Sequence, residues 1–151
     1  MDLDKFKQVN DTFGHHYGDL LLQEAASRLR QTLRGSDTVA RLGGDEFAML
    51  LPGTDERGAI QAAEKVVSAL ERPFDLEGRL LDVGISIGIA LYPLHGEDTS
   101  ALLQSADVAM YRAKRGHRYY AIHDAYGESQ PVDTSSEELD RPVEPEELSR
   151  S

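Results

Sequence analysis

The sequence contains no cysteine and no tryptophan, and no run of apolar residues approaches the length that crosses a bilayer. Without cysteine there are no disulfides, no thiol nucleophiles and no thiolate metal ligands. A membrane helix needs roughly 18 or more consecutive apolar residues, and the opening residues Met1-Asp2-Leu3-Asp4-Lys5 lack the apolar stretch of a signal peptide. Aromatic residues are scarce at 7%, which limits the 151 residues to one modest core. Positive charge is short too: 16 Lys and Arg face 27 Asp and Glu, a net charge of −11. So acidic a chain is repelled by nucleic-acid backbones, although a local phosphate site remains open to it. These absences leave a soluble cytoplasmic protein as the expectation.

The shortage of positive charge is concentrated at one end. Residues 124–151 hold 9 acidic and 2 basic residues, a balance of −7, whereas residues 1–123 hold 18 and 14, a balance of −4. With Pro131, Pro142 and Pro145 and few apolar residues, the last stretch cannot bury enough surface to offset the entropy of ordering its backbone. The expected organisation is a domain over 1–123 and an acidic disordered tail over 124–151.

Within the domain, hydrophobic spacing predicts a helix over Gly18–Leu33 on Leu22, Ala25, Ala26, Leu29 and Leu33. Thr38–Leu42 and Phe47–Leu51 read as strands joined by Gly43-Gly44-Asp45-Glu46, a tight hairpin with two acids at its tip. Thr54 is placed to cap a second helix running to about Leu70, stopped by Pro73. From Leu81 to Leu91 every second residue is large and apolar, which predicts one long strand; the small residues between them suggest close approach by another element or a ligand. A third helix over about Ser100–Lys114 and a last strand over Tyr119–His123 complete an α+β sandwich, one sheet covered by helices.

Two acidic clusters, Asp2-Leu3-Asp4 and Asp45-Glu46, stand in distinctive surroundings. The first opens D-x-D-x-F-K-x-x-N-D over Asp2–Asp11, followed by Gly14-His15 and Gly18-Asp19; the second lies in Arg41-Leu42-Gly43-Gly44-Asp45-Glu46-Phe47. Ser86-Ile87-Gly88-Ile89-Ala90 and the stretch from Ala106 to Lys114 follow. In these motifs the chain resembles the GGDEF family, the diguanylate cyclases that join two GTP into cyclic di-GMP, over about Met1–Ile122. The resemblance implies a mixed, mainly antiparallel sheet like that of nucleotide cyclases and polymerase palms.

It also implies a set of roles. Joining nucleotides sends a 3′-hydroxyl onto an α-phosphate, which favours a hard divalent cation, Mg²⁺ or Mn²⁺, between carboxylates and phosphate oxygens. Asp2, the Leu3 carbonyl and Asp45 correspond to the metal ligands. Asp45, or Glu46 beside it, corresponds to the base that assists deprotonation, and Lys7 to a cation near the reacting phosphate. Asn10 and Asp19 correspond to the pair that reads guanine, His15 to a substrate-side histidine, and Lys114 and Arg118 to the triphosphate contacts. At that last corner the family usually has Gly-Arg-Asn where this chain has Gly116-His117-Arg118. Arg34 and Asp37 match the R-x-x-D site through which product inhibits.

Family members begin well before this motif, with a helix and a central apolar strand that ends where Met1 stands. The expectation is therefore a GGDEF fold lacking its first strand, with exposed strand edges and doubtful activity by itself. A homodimer of GTP-loaded domains, a sensor or receiver domain upstream, and no nucleic-acid or membrane partner complete the expectation. The alternatives are a non-catalytic domain that binds GTP or cyclic di-GMP, and an inactive fragment of a longer signalling protein.

Overall fold

The computed structural model describes residues 1–124. Residues 125–151, nearly all of the expected acidic tail, lie outside it. The elements are β1 (Asp2–Leu3), α1 (Phe6–Phe13), α2 (His15–Thr32), β2 (Thr38–Gly43), β3 (Glu46–Leu50), α3 (Glu56–Glu71), β4 (Phe74–Leu76), β5 (Arg79–Leu81), β6 (Ile85–Ile89), α4 (Thr99–Arg115) and β7 (Tyr120–Ile122). Five strands form the main sheet in the order β2-β3-β1-β6-β7, while β4 and β5 pair as a separate ribbon. Neighbours in the main sheet run antiparallel except β6 and β7. This is the mixed, mainly antiparallel α+β architecture expected from the sequence. No helix among the described residues is long and apolar enough to cross a membrane.

Where the sequence reading leaves the sheet short of its first strand, β1 occupies the central place with two residues. Asp2 pairs with Glu46 on one side and Ser86 on the other, and Leu3 pairs with Ile85. The pairing begins at the chain's first residue: the Met1 ammonium donates to the Phe47 carbonyl at 2.8 Å, and the Phe47 N–H donates to the Met1 carbonyl at 2.9 Å.

Side-chain alternation on β6 sorts the two faces of the sheet. Ile85, Ile87 and Ile89 join Leu3, Phe47, Leu21, Leu29, Val66 and Leu70 in the core beneath α1, α2 and α3. Ser86 and Gly88 face the other way, toward α4. A Cβ at Gly88 would stand 1.8 Å from the Ala106 carbonyl oxygen and 2.6 Å from the Met110 nitrogen. Those are backbone atoms and cannot step aside, so Gly88 serves the close approach of a helix, while Gly84 lies against the Asp4 side chain. Ala109 and Ala113, both fully buried, form the matching small face of α4.

Four local expectations are corrected. The strand predicted over Leu81–Leu91 is broken: Leu81 ends β5, which folds back on β4 through a turn at Glu77 (φ 52°) and Gly78 (φ 86°), and only Ile85–Ile89 belongs to the main sheet. Gly84 lies between them, its carbonyl accepting from the Asp4 N–H at 2.8 Å. Helix α1 is an element the periodicity did not reveal, because eight residues with one buried side chain, Val9, carry too little pattern. Asp55, not Thr54, caps α3, its carboxylate accepting from the Gly58 N–H at 2.8 Å. Thr54 is engaged elsewhere, by Arg34. Finally, Gly44 and Asp45 make the β2–β3 turn, and Glu46 is already the first residue of β3.

The loop from β6 to α4 is pinned by His95. Its Nδ1 accepts from the Leu91 N–H at 2.9 Å, its carbonyl accepts from the Ser105 hydroxyl at 2.7 Å, and its ring meets the His123 ring edge-on. Burial first, then the neighbouring His123, pushes the His95 pKa below its ordinary 6.5, against an opposing pull from Glu56 and Asp124. A lowered histidine pKa means the folded chain holds the neutral ring. Its contribution is whole above about pH 6.5 and is lost as pH falls through the lowered value. Urea unfolding across that range should therefore show a steeper loss of stability on acidification for wild type than for His95→Gln. Equal slopes would refute it.

Candidate functional site

Beta-strand β1 places Asp2 in the centre of the sheet, on the face that α4 covers, where the residue is 5% exposed. Lys114, in the last turn of α4, reaches across and donates from Nζ to Asp2 Oδ2. The other oxygen, Oδ1, is buried and accepts no hydrogen bond. A buried acceptor left empty costs free energy that a donor or cation would recover.

The neighbouring groups make this a convergent cluster. The Asp45 carbonyl accepts from the Leu3 N–H at 3.3 Å, which ties the hairpin turn to β1 while the Leu3 side chain is fully buried in the core. Glu46 stands opposite Asp2 in the register. Asp4, the second acid of the D-x-D motif, accepts from the Ser86 hydroxyl at 2.8 Å. Burial of its carboxyl raises the Asp4 pKa, the Ser86 hydrogen bond opposes this, and the charge of Asp2 adds to the rise. Desolvation pulls the Lys114 pKa down, but the hydrogen bond and charge of Asp2, with Asp4 and Asp45 behind it, prevail and leave it above its ordinary value. Lys114 is therefore paired with Asp2, with Asp4 and Asp45 adding to the negative field around it.

The other residues singled out in the sequence fall into two regions. Lys7 is exposed on the first turns of α1, and Asn10 follows on the same helix with its Oδ1 buried and unpartnered. His15 and Asp19 are exposed on α2, which starts directly after α1 at Gly14 (φ 93°). Arg118 lies just past α4, with its side chain along Gly116. The left-handed position of that corner is His117 (φ 53°), one residue beyond the glycine.

Arg34 and Asp37 are brought to each other but not to the Asp2 cluster. The Arg34 guanidinium donates to Asp37 Oδ1 at 3.1 Å, to the Thr54 hydroxyl at 2.8 Å and to the Pro52 carbonyl at 3.2 Å. Its hydrogen bonds hold the Asp37 pKa below the ordinary carboxylate value. This group sits at the open end of the β2–β3 hairpin, where Thr38 pairs with Leu50, about 20 Å from the turn by strand rise.

Sequence reasoning assigned no role to Asp4 or Ser86. The available signal was an acid two positions from Asp2 and a hydroxyl among the small residues of β6. Neither locates its partner without the sheet register.

The match to known proteins follows these elements closely. Residues 1–120 match the family described as "Diguanylate cyclase, GGDEF domain". The chain belongs to the GGDEF family. It is 46% identical over 126 residues to the bifunctional diguanylate cyclase/cyclic di-GMP phosphodiesterase MucR of Pseudomonas aeruginosa, covering 83% of this chain and 18% of MucR. It is 47% identical over 120 residues to the diguanylate cyclase TpbB of the same species, covering 78% of this chain and 28% of TpbB. The chain thus spans less than a third of either relative. The crystal structure of the TpbB GGDEF domain superposes with a TM-score of 0.78 at 44% identity, covering 82% of this chain and 78% of that one.

The ion pair yields a stability prediction. Lys114→Met strands the Asp2 carboxylate, and because the lysine side chain is 40% exposed the cost is expected at about 1 to 2 kcal/mol rather than the about 3 to 5 of a fully buried pair. The double variant Asp2→Asn/Lys114→Met should recover most of that loss in urea unfolding at neutral pH. A double variant less stable than Lys114→Met alone would show that the pair is not the coupled unit described.

Proposed function

We propose that this domain is a diguanylate cyclase that condenses two GTP into cyclic di-GMP and releases pyrophosphate. The observation that carries the reading is the buried Asp2 carboxylate on the central strand, one oxygen on Lys114 and the other unpartnered, beside the Asp45 turn.

The chain's donors suit a divalent cation, Mg²⁺ or Mn²⁺. Among the described residues no three His, Asp or Glu side chains close on one point. Mg²⁺ does not require that, since it commonly binds one or two carboxylates together with substrate phosphates. Asp2, Asp45 and the Leu3 carbonyl would hold it, and when bound it supplies charge neutralisation at the transferring phosphate.

Each residue then has a task. Asp45, with Glu46 beside it, takes the proton from the 3′-hydroxyl as that oxygen attacks the α-phosphorus and the bond to pyrophosphate breaks. Lys7 stabilises the charge that builds on the reacting phosphate, and Lys114 leaves Asp2 for the triphosphate, joined by Arg118. Asn10 and Asp19 pair with the guanine edge, the amide and the carboxylate matching its acceptors and donors, and His15 lies on the substrate side. Each domain holds one nucleotide, so the second bond-forming partner comes from a second domain in a homodimer. Arg34 and Asp37 bind the product far from the reacting groups and restrain the domain. The cytoplasm, where GTP is available, is the proposed setting. A longer signalling protein with a sensor or receiver domain upstream is the proposed context, residues 1–123 forming the catalytic domain.

Incubation of the domain, carried in the longer protein proposed above, with GTP and Mg²⁺, with products resolved by chromatography, should yield cyclic di-GMP, and Asp45→Ala should lower the rate at least about a hundredfold. Absence of the product, or a variant rate within about tenfold of wild type, would remove the reading. Arg34→Ala should raise the inhibitory concentration of cyclic di-GMP about tenfold, the value of a lost charge-assisted contact. An unchanged inhibition curve would reduce the Arg34–Asp37 pair to a local structural link.

A further inference from the structure

Gly18 is buried in the second turn of α2, yet its helical backbone makes no demand for glycine. Glycine inside a helix is less favourable than alanine, so this position departs from local preference. The departure has a cause in space. A Cβ at Gly18 would stand 1.8 Å from Asn10 Oδ1, 2.8 Å from Asn10 Cγ and 3.3 Å from Asn10 Nδ2. The Asn10 amide lies on the bare backbone of α2, in the volume that any other residue would fill, whichever way round the amide sits. Its Oδ1 is buried there without a hydrogen-bond partner. The amide oxygen is thus held desolvated against the bare backbone of α2.

We propose that Gly18 is a specificity-determining position of the nucleotide-base subsite: it leaves the room in which the Asn10 amide is fixed to meet a purine edge carrying both N–H donors and ring acceptors. The proposal rests on the reading of Asn10 and Asp19 as base contacts. Asp19 is the next residue on α2, so consecutive positions supply the space for the amide and the accompanying carboxylate. A side chain at position 18 drives the amide outward into the volume of the base, and recognition of the base is lost while the triphosphate contacts of Lys114 and Arg118, at the end of α4, are untouched. Gly18 acts through Asn10 and is a positioning residue.

The test compares wild type, Gly18→Ala, Asn10→Ala and the double variant in the full chain. GTP and ATP affinities are measured by calorimetry, and thermal unfolding by circular dichroism. Gly18→Ala is expected to weaken GTP about tenfold or more with ATP nearly unchanged, and to add nothing, within about twofold, in the Asn10→Ala background. With the clash removed in that background, the alanine should raise the thermal midpoint, which reports the steric coupling, while the split between GTP and ATP affinity reports the base contact. GTP affinity equal to wild type in Gly18→Ala, or a full additional loss in the double variant, overturns the proposal. A Gly18→Ala chain that unfolds alone but is rescued by Asn10→Ala supports it. Should wild type show no preference for GTP over ATP, the base-contact reading fails by itself. The Asn10 side-chain amide signal in nuclear magnetic resonance then decides the placement: displacement by Gly18→Ala upholds it and an unmoved signal overturns it.

Discussion

A carboxylate in the middle of a sheet demands a positive partner, and the pairing of Asp2 with Lys114 is the constraint around which the rest of this domain is arranged. Asp2 is held on both sides by β3 and β6, so it cannot turn out to solvent. The lysine must therefore come to it. That requires α4 to run its full length from the Asp98 cap, whose carboxylate accepts from the Ala101 N–H, and to lie close enough for its last turn to overhang β1.

The closeness of α4 is purchased by small residues. Gly88 removes a side chain from the sheet where the Ala106 carbonyl passes, and Ala109 and Ala113 do the same from the helix. Any enlargement at these points lifts the helix and with it Lys114, leaving Asp2 with two unsatisfied oxygens in place of one. The packing of one helix and the electrostatics of the site are in this sense a single arrangement. Two buried acceptors, Asp2 Oδ1 and Asn10 Oδ1, are left without a hydrogen-bond partner.

The β2–β3 hairpin links two chemically different ends. Its turn carries Asp45 beside β1, bound through the Leu3 N–H, while its open end carries Arg34 and Asp37, already satisfied by each other and by Thr54 and Pro52. The inner end lies beside the unpartnered Asp2 oxygen, and the outer end is closed on itself. A ligand at the outer end must trade for existing hydrogen bonds.

The sequence by itself determined the helices at Gly18–Leu33, Thr54–Leu70 and Ser100–Lys114 to within a few residues, the hairpin at Gly43-Gly44, and the family motifs that hold Asp2, Asn10, Asp19 and Asp45. Those features are written in local spacing, because burial of one face repeats at the period of the element that carries it. Helix α1 escaped because one buried residue is no pattern, and the strand over Leu81–Leu91 was overextended because alternation continues through a turn that only pairing reveals. Asp4 with Ser86 is a contact across 82 residues and Asp2 with Lys114 one across 112. Such pairs depend on strand order and on which face a helix covers, so tertiary structure alone decided which carboxylate is paired, which oxygen is left empty and why position 18 is glycine.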